Sequence, residues 1–369
     1  MTIAILLLVV LSLAYANGAN DNFKGVATLL GSGTASYRKA LGWATITTAA
    51  GSMTALIVAR GLLAAFSGKG LVPMEVVQDP SFAAAVALAT GTTVLVATKF
   101  GLPVSTTHAL IGGLIGAGLF ASPVGIDWAE LTSKLLLPLL TSPLIAIALA
   151  SLFYMGSRGL RRRLGITKET CVCIGERVIG VVPGALRAQA ALQAVRVPTL
   201  EAGSQATCQV CYSGSIMGVS AGPALDAAHY FSAGAVSFAR GLNDTPKIAA
   251  LLLVGGTLSP TLAIVGVALV MALGGLLGAR GVAETMSHRV TEMNSGQGLV
   301  ANLVTSILVI GASRFGMPVS TTHVSCGSLF GIGAVTRKAH WRTIGGILLA
   351  WVVTLPIAAV LGAVLVRLL

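Results

Sequence analysis

Ten apolar stretches dominate this chain: residues 2–17, 40–64, 82–98, 104–121 and 132–155, then 224–240, 258–279, 297–313, 318–335 and 343–366. About 20 apolar residues suffice to carry a helix across the hydrocarbon core of a bilayer. Charged residues make up only 10% of the chain, against about 25% in ordinary soluble domains. The expected fold class is therefore an all-α polytopic membrane protein. The 45 glycines suit it, because small residues let helices approach where lipid gives no hydrophobic drive. The first stretch lacks the charged start of a cleavable signal peptide and reads as a retained span. A net charge of +12 then reflects the sidedness of the loops rather than nucleic acid.

The two sets of stretches flank a hydrophilic segment, which divides the chain into residues 1–156, 157–222 and 223–369. The middle segment opens with "SRGLRRRLG" and holds Arg158, Arg161, Arg162, Arg163, Lys168, Arg177, Arg187 and Arg196 against three acids. Basic loops stay on the cytoplasmic side, so this linker is expected there, in a multi-pass protein of the plasma (inner) membrane.

The flanking parts repeat each other. "KFGLPVSTTH" at 99–108 returns as "RFGMPVSTTH" at 314–323, with eight of ten positions identical. "YANGANDNFKGVATLL" at 15–30 returns as "FARGLNDTPKIAALLL" at 238–253, which pairs Asn20, Asp21 and Lys24 with Asn243, Asp244 and Lys247. Two motifs in the same order mark an internal duplication. Basic residues follow the first Asn-Asp element (Arg38, Lys39) but the second Ser-Thr-Thr-His helix (Arg337, Lys338, Arg342). Equivalent loops thus differ in charge, as two inverted-topology repeats of about five segments each would have it. Each half then crosses an odd number of times, and both termini are expected outside.

The hydroxyl motif suits an oxyanion. Gly101 permits a break, and Pro103 suits the first turn of a new helix. The helix then offers free N–H groups and about half a positive charge near Ser105, Thr106 and Thr107. Pro318 does the same for Ser320, Thr321 and Thr322. Two such broken helices facing each other near mid-membrane would cradle an anion. A proline-kinked helix with hydroxyls bonded to its own backbone is the bland alternative. His108 and His323 are accessory candidates, as ligands, proton carriers or packed interhelical histidines.

Asp21 and Asp244 need a different explanation. A carboxylate at the centre of a spanning helix costs about 2.5–3.5 kcal/mol. Beside a tetrahedral oxyanion, two of them would gather roughly three or four negative charges, with repulsion of several kcal/mol. A co-bound Na⁺ or H⁺ removes that cost, which is symport in physical terms. Asn20 and Asn243 add the oxygen ligands that hard cations prefer. Lys24 and Lys247 either pair with the aspartates or draw in the anion. Gln297 and Asn302 precede the second hydroxyl motif and either line the site or join helices.

These paired motifs, "GANDNFKGVATLLGSG" with "GLNDTPKIAALLL" and "GLPVSTTH" with "GMPVSTTH", resemble the inorganic phosphate transporter family. The resemblance covers both halves. It implies a cation-coupled permease with inverted repeats, importing inorganic phosphate by alternating access, with sulfate permeases among its relatives. It also implies that Asn20, Asp21, Asn243 and Asp244, with Ser105, Thr106, Thr107, Ser320, Thr321 and Thr322, form the cation and phosphate sites. The chain departs from the family in lacking small residues after each Asp.

Two alternatives stand beside this expectation. A sulfate permease would share the architecture, but a protonated phosphate better suits carboxylate acceptors. An intramembrane hydrolase would use Ser105 and His108 with an Asp, yet no G-x-S-x-G elbow is present. Apart from the bilayer, the anion and its coupling cation, the partner expected is at most a second copy in a homodimer. No cofactor is required. Cys171 and Cys173 with Cys208 and Cys211 form two close pairs, which zinc or nothing occupies. Cys326 reads as packing.

Overall fold

The computed structural model describes residues 3–122, 124–167, 170–183, 192–204, 217–256 and 258–369. Among the described residues, ten principal helices follow one another in two sets of five. The first set is α1 (Ile3–Asp21), α2 (Tyr37–Val58), α3 (Pro80–Lys99), α4 (Thr106–Ala121) and α5 (Leu137–Arg163). The second is α6 (Ala221–Ala249), α7 (Pro260–Gly278), α8 (Ser295–Arg314), α9 (Thr321–Thr336) and α10 (Trp341–Leu368). Each expected span has its helix. Among the described residues, seven helical stretches are long and apolar enough to cross a bilayer, including an unbroken run Trp128–Arg163. At 16 residues each, α4 and α9 rise about 24 Å, short of a hydrocarbon core of about 30 Å.

The spans place large apolar side chains outward and polar ones inward. Leu8, Ile57, Leu144, Leu277 and Val352 are all more than 60% exposed, whereas Asn17, Asn20, Asn243, Ser237 and Thr245 are wholly buried. That reverses the soluble pattern and matches a hydrocarbon surround. α1 packs against α3 and α7, α2 against α7, and α4 against α3 and α10. Hydroxyl helix α4 thus leans on the last helix of the other set. A Cβ on Gly116 would lie 1.8 Å from the Ala359 carbonyl oxygen, so backbone meets backbone there.

The chain divides into two compact units, residues 1–154 with 229–369, and residues 155–228. The second unit covers the expected linker, 157–222, and extends a few residues past it at each end. Helix α5 runs on to Arg163, and α6 begins at Ala221. Between them, strands β1 (Thr170–Pro183), β2 (Leu192–Ser204) and β3 (Met217–Ser220) form an antiparallel sheet in the order β2-β1-β3. The pairing of β1 with β2 shifts register once, between Val178 and Gly180. "CVCIGERVIGVV" is rich in β-branched residues, a strand signal. The proposed zinc ligands Cys208 and Cys211 lie outside the described residues, as do the side chains of Cys171 and Cys173. Cys326 is a buried free thiol.

Candidate functional site

The two hydroxyl motifs share one geometry. Gly101 and Gly316 both take φ of +66°, the left-handed conformation that ends α3 and α8. An extended link follows, and the new helix begins three residues later than the prolines suggest. Ser105 and Ser320, rather than Pro103 and Pro318, mark the starts: each is an N-cap whose hydroxyl accepts from the N–H of His108 or His323 at 3.1 Å. Their hydroxyls are therefore committed to the backbone, so Ser105→Ala should cost about 1 kcal/mol in thermal unfolding.

The threonines divide the remaining work. The first of each pair serves its own half: Thr106 donates to Asp21 Oδ2, and Thr321 to Asp244 Oδ2, both at 3.1 Å. The second reaches across. Thr322 donates to the Val104 carbonyl at 3.0 Å and accepts from Lys24 Nζ at 2.7 Å. Thr107 donates to the Val319 carbonyl at 3.5 Å and accepts from Lys247 Nζ at 2.8 Å. The start of each hydroxyl helix is thus stitched to the Asn-Asp element of both halves.

The carboxylates sit at the ends of these chains. Asp21 closes α1; the helix then breaks, and a short 3-10 turn (Lys24–Val26) folds Lys24 back onto it. Asn17 also donates to Asp21 Oδ2 at 2.8 Å. Asp244 instead lies inside α6, which continues through Pro246. Asn243 donates to Asp244 Oδ1 at 2.8 Å, and Lys247 stands 3.5 Å from the same oxygen. Both carboxylates are at most 3% exposed. Lys24 and Lys247 therefore pair with the aspartates. The neutralising charge that the sequence assigned to a transported cation is, in the first instance, carried by the chain's own lysines.

Three further observations complete the centre. Arg240, 2% exposed, donates to Asn17 Oδ1 at 2.7 Å and Asn22 Oδ1 at 3.1 Å, and its Nε lies 3.8 Å from Asp244. The repeat itself held this signal, since "YANGAND" opposite "FARGLND" sets Arg240 against Asn17. Asn20 and Asn243 hold the strands entering the hydroxyl helices: Asn20 donates to Leu102 at 3.0 Å, and Asn243 to Val319 at 3.1 Å. Thr98 and Ser313, one on each side, hold these amides in turn. Among the described residues, the buried charges are thus Asp21 and Asp244 against Lys24, Arg240 and Lys247, an excess of one positive charge.

The accessory candidates fall into other places. His108 and His323 meet ring to edge at 4.3 Å between centroids, and His323 lies 3.9 Å from the Trp351 ring. Among the described residues, neither His323 nitrogen has a hydrogen-bond partner, nor has His108 Nδ1. Gln297 completes a capping box with Asn294 and donates to the Tyr154 hydroxyl at 3.2 Å. Asn302 donates to Thr28 at 3.0 Å and Ser232 at 3.2 Å. Those two join elements through polar contacts of their own, apart from the Asp-Lys centre.

The chain that builds this duplicated, charge-rich polar centre is similar to known proteins over nearly its whole length. The phosphate transporter family model matches residues 17–362. The chain belongs to the phosphate transporter family. A candidate low-affinity inorganic phosphate transporter of Rhizobium meliloti is 28% identical, across 97% of this chain and 93% of the relative. A candidate phosphate permease of Pyrococcus horikoshii is 26% identical, across 97% and 95%. The solved structure of a sodium-dependent phosphate transporter superposes with a TM-score of 0.74 at 20% identity, covering 100% of this chain and 99% of that one. This family member is accordingly a multi-pass membrane protein of a transporter family.

Proposed function

We propose that the chain imports inorganic phosphate as a secondary active symporter, with Na⁺ or H⁺ as coupling ion and two halves that rock to alternate access. The observation that carries this reading is the cross-stitching of Thr107 and Thr322 to the lysine of the opposite half. Hydroxyls and helix starts from both repeats converge there, with a net positive charge beside them. Phosphate would be held by Thr106, Thr107, Thr321 and Thr322, with the amides after Ser105 and Ser320 facing it. Asn20, Asp21, Asn243 and Asp244 would tie anion binding to the coupling charge. The matching bonds of the two hydroxyl motifs, Ser105 with Ser320, Thr106 with Thr321 and Thr107 with Thr322, support an inverted repeat. The basic residues of 157–222 support a cytoplasmic placement in the plasma membrane, with both termini outside.

The relatives' names point to phosphate, and none quoted above names sulfate. The carboxylates favour the same anion, since a protonated phosphate can donate to them. For a hydrolase, Ser105 and the His108 ring would have to act together. Here Ser105 Oγ caps its helix, and the His108 ring packs on His323. Uptake separates these readings. Thr107→Ala and Thr322→Ala should each lower phosphate uptake by about 10-fold, the loss of one charge-assisted hydrogen bond of roughly 1.5 kcal/mol. Their losses should be of similar size. Full activity in either variant would contradict a cradle shared by the halves.

A further inference from the structure

We propose that the ammonium groups of Lys24 and Lys247 are built-in substitutes for a coupling sodium ion, so that this chain carries its anion without binding Na⁺ and H⁺ is left as the coupling ion of the symport proposed above. The proposal deepens the phosphate-cradle reading and rests on it. Lys24 Nζ is enclosed by four oxygens of four chemical kinds: the Asp21 carboxylate, the Asn20 amide, the Val104 carbonyl and the Thr322 hydroxyl. The last three stand at 2.7 Å each. Carboxylate, amide and carbonyl oxygens gathered from several elements are what a hard cation takes as its shell. An ammonium has three protons for these four acceptors, so it is surrounded as a small cation is. Lys247 Nζ repeats part of the arrangement, with the Val319 carbonyl at 2.6 Å, the Thr107 hydroxyl at 2.8 Å and Asp244 at 3.5 Å, three oxygens where Lys24 has four.

The same oxygens are the ones a sodium ion would need. Asn20 Oδ1 is taken by Lys24 and by the Val104 N–H at 3.2 Å; Asn243 Oδ1 accepts from Ser313 at 3.2 Å. Asp244 Oδ1 accepts from Asn243 at 2.8 Å. A sodium ion entering either shell would sit beside a fixed ammonium, with Arg240 adding a third buried positive charge nearby. Like charges at such separation repel strongly in a buried site. The aspartates are already compensated, so the reason for sodium to enter is gone. A lysine is also tethered: its charge serves the anion in every cycle but is not delivered with it.

The test uses the full-length protein. Thermal unfolding in detergent is compared in sodium chloride and choline chloride at equal ionic strength. Phosphate uptake into proteoliposomes is compared with an inward sodium gradient and with choline in its place. The wild-type protein should melt at one temperature in both salts and take up phosphate at equal rates. The Lys24→Ala/Lys247→Ala double variant leaves the oxygen shells open, so its melting temperature should rise in sodium chloride over choline chloride. Sodium-specific stabilisation of the wild-type protein, or uptake that falls several-fold without sodium, would overturn the proposal. So would a folded double variant indifferent to sodium. Should the double variant fail to fold, the wild-type comparison decides alone. Should phosphate not be carried under any gradient, the cradle reading falls, while the melting comparison still judges the lysines.

Discussion

Asp21→Asn and Asp244→Asn should each abolish concentrative phosphate uptake, measured with labelled phosphate in proteoliposomes. Each carboxylate gathers a threonine from the following hydroxyl helix and the lysine three residues on. Asparagine keeps the shape but removes the charge, leaving three buried cations against one anion. Removing one partner of a buried ion pair costs about 3–5 kcal/mol, because the other charge is left uncompensated. The lysine must then be neutralised or turn elsewhere, and the threonine exchanges a charge-assisted hydrogen bond for a weaker neutral one. Thermal unfolding in detergent should detect the destabilisation, and samples matched for folded protein separate it from lost transport. Uptake at the wild-type rate in either variant would refute the coupling role of that carboxylate.

Gly241→Leu should prevent assembly of the bundle, and Gly18→Leu should do the same. A Cβ at Gly241 would stand 2.0 Å from the Thr48 carbonyl oxygen, and one at Gly18 would stand 2.0 Å from that of Met271. The two glycines correspond in the repeat, and both lie two residues before the Asn-Asp pair. The obstacle is backbone in each case, so no rotamer change relieves it. Overpacking a core ordinarily costs about 1–3 kcal/mol; forcing α6 from α2, or α1 from α7, should exceed that range. Gly266 is the control, since a Cβ there meets nothing within 4 Å. Gly266→Ala should be neutral or gain up to about 1 kcal/mol through helix propensity. Size-exclusion elution in detergent checks both: a native monodisperse peak for Gly241→Leu would contradict the packing account.

Much of the architecture was legible because lipid imposes its own pattern. Apolar runs gave all ten helices, and two duplicated motifs gave the equivalence of Asp21 with Asp244 and of Thr106 with Thr321. What escaped was set by tertiary contact. Nothing in "GLPVSTTH" says that the first threonine turns to its own half and the second to the other. That division depends on where α4 and α9 meet. The helix start was misplaced by the proline rule because Ser105 and Ser320 cap more effectively than Pro103 and Pro318 begin. Lys24 was visible as a pairing candidate at i+3, but its four-oxygen enclosure includes Val104 and Thr322, which lie 80 and 298 residues away. Arg240 stands in the repeat opposite Asn17, and an arginine in an apolar segment is itself a functional signal. The sheet formed by β1, β2 and β3 was hidden behind the charge of its neighbours.

Labelled phosphate uptake by purified protein in proteoliposomes, with unlabelled sulfate as competitor, tests the central claim most directly. The account predicts saturable uptake that excess phosphate suppresses, excess sulfate leaves in place, and Thr107→Ala and Thr322→Ala weaken alike. Uptake no faster than in protein-free liposomes, or uptake that sulfate abolishes, would contradict it.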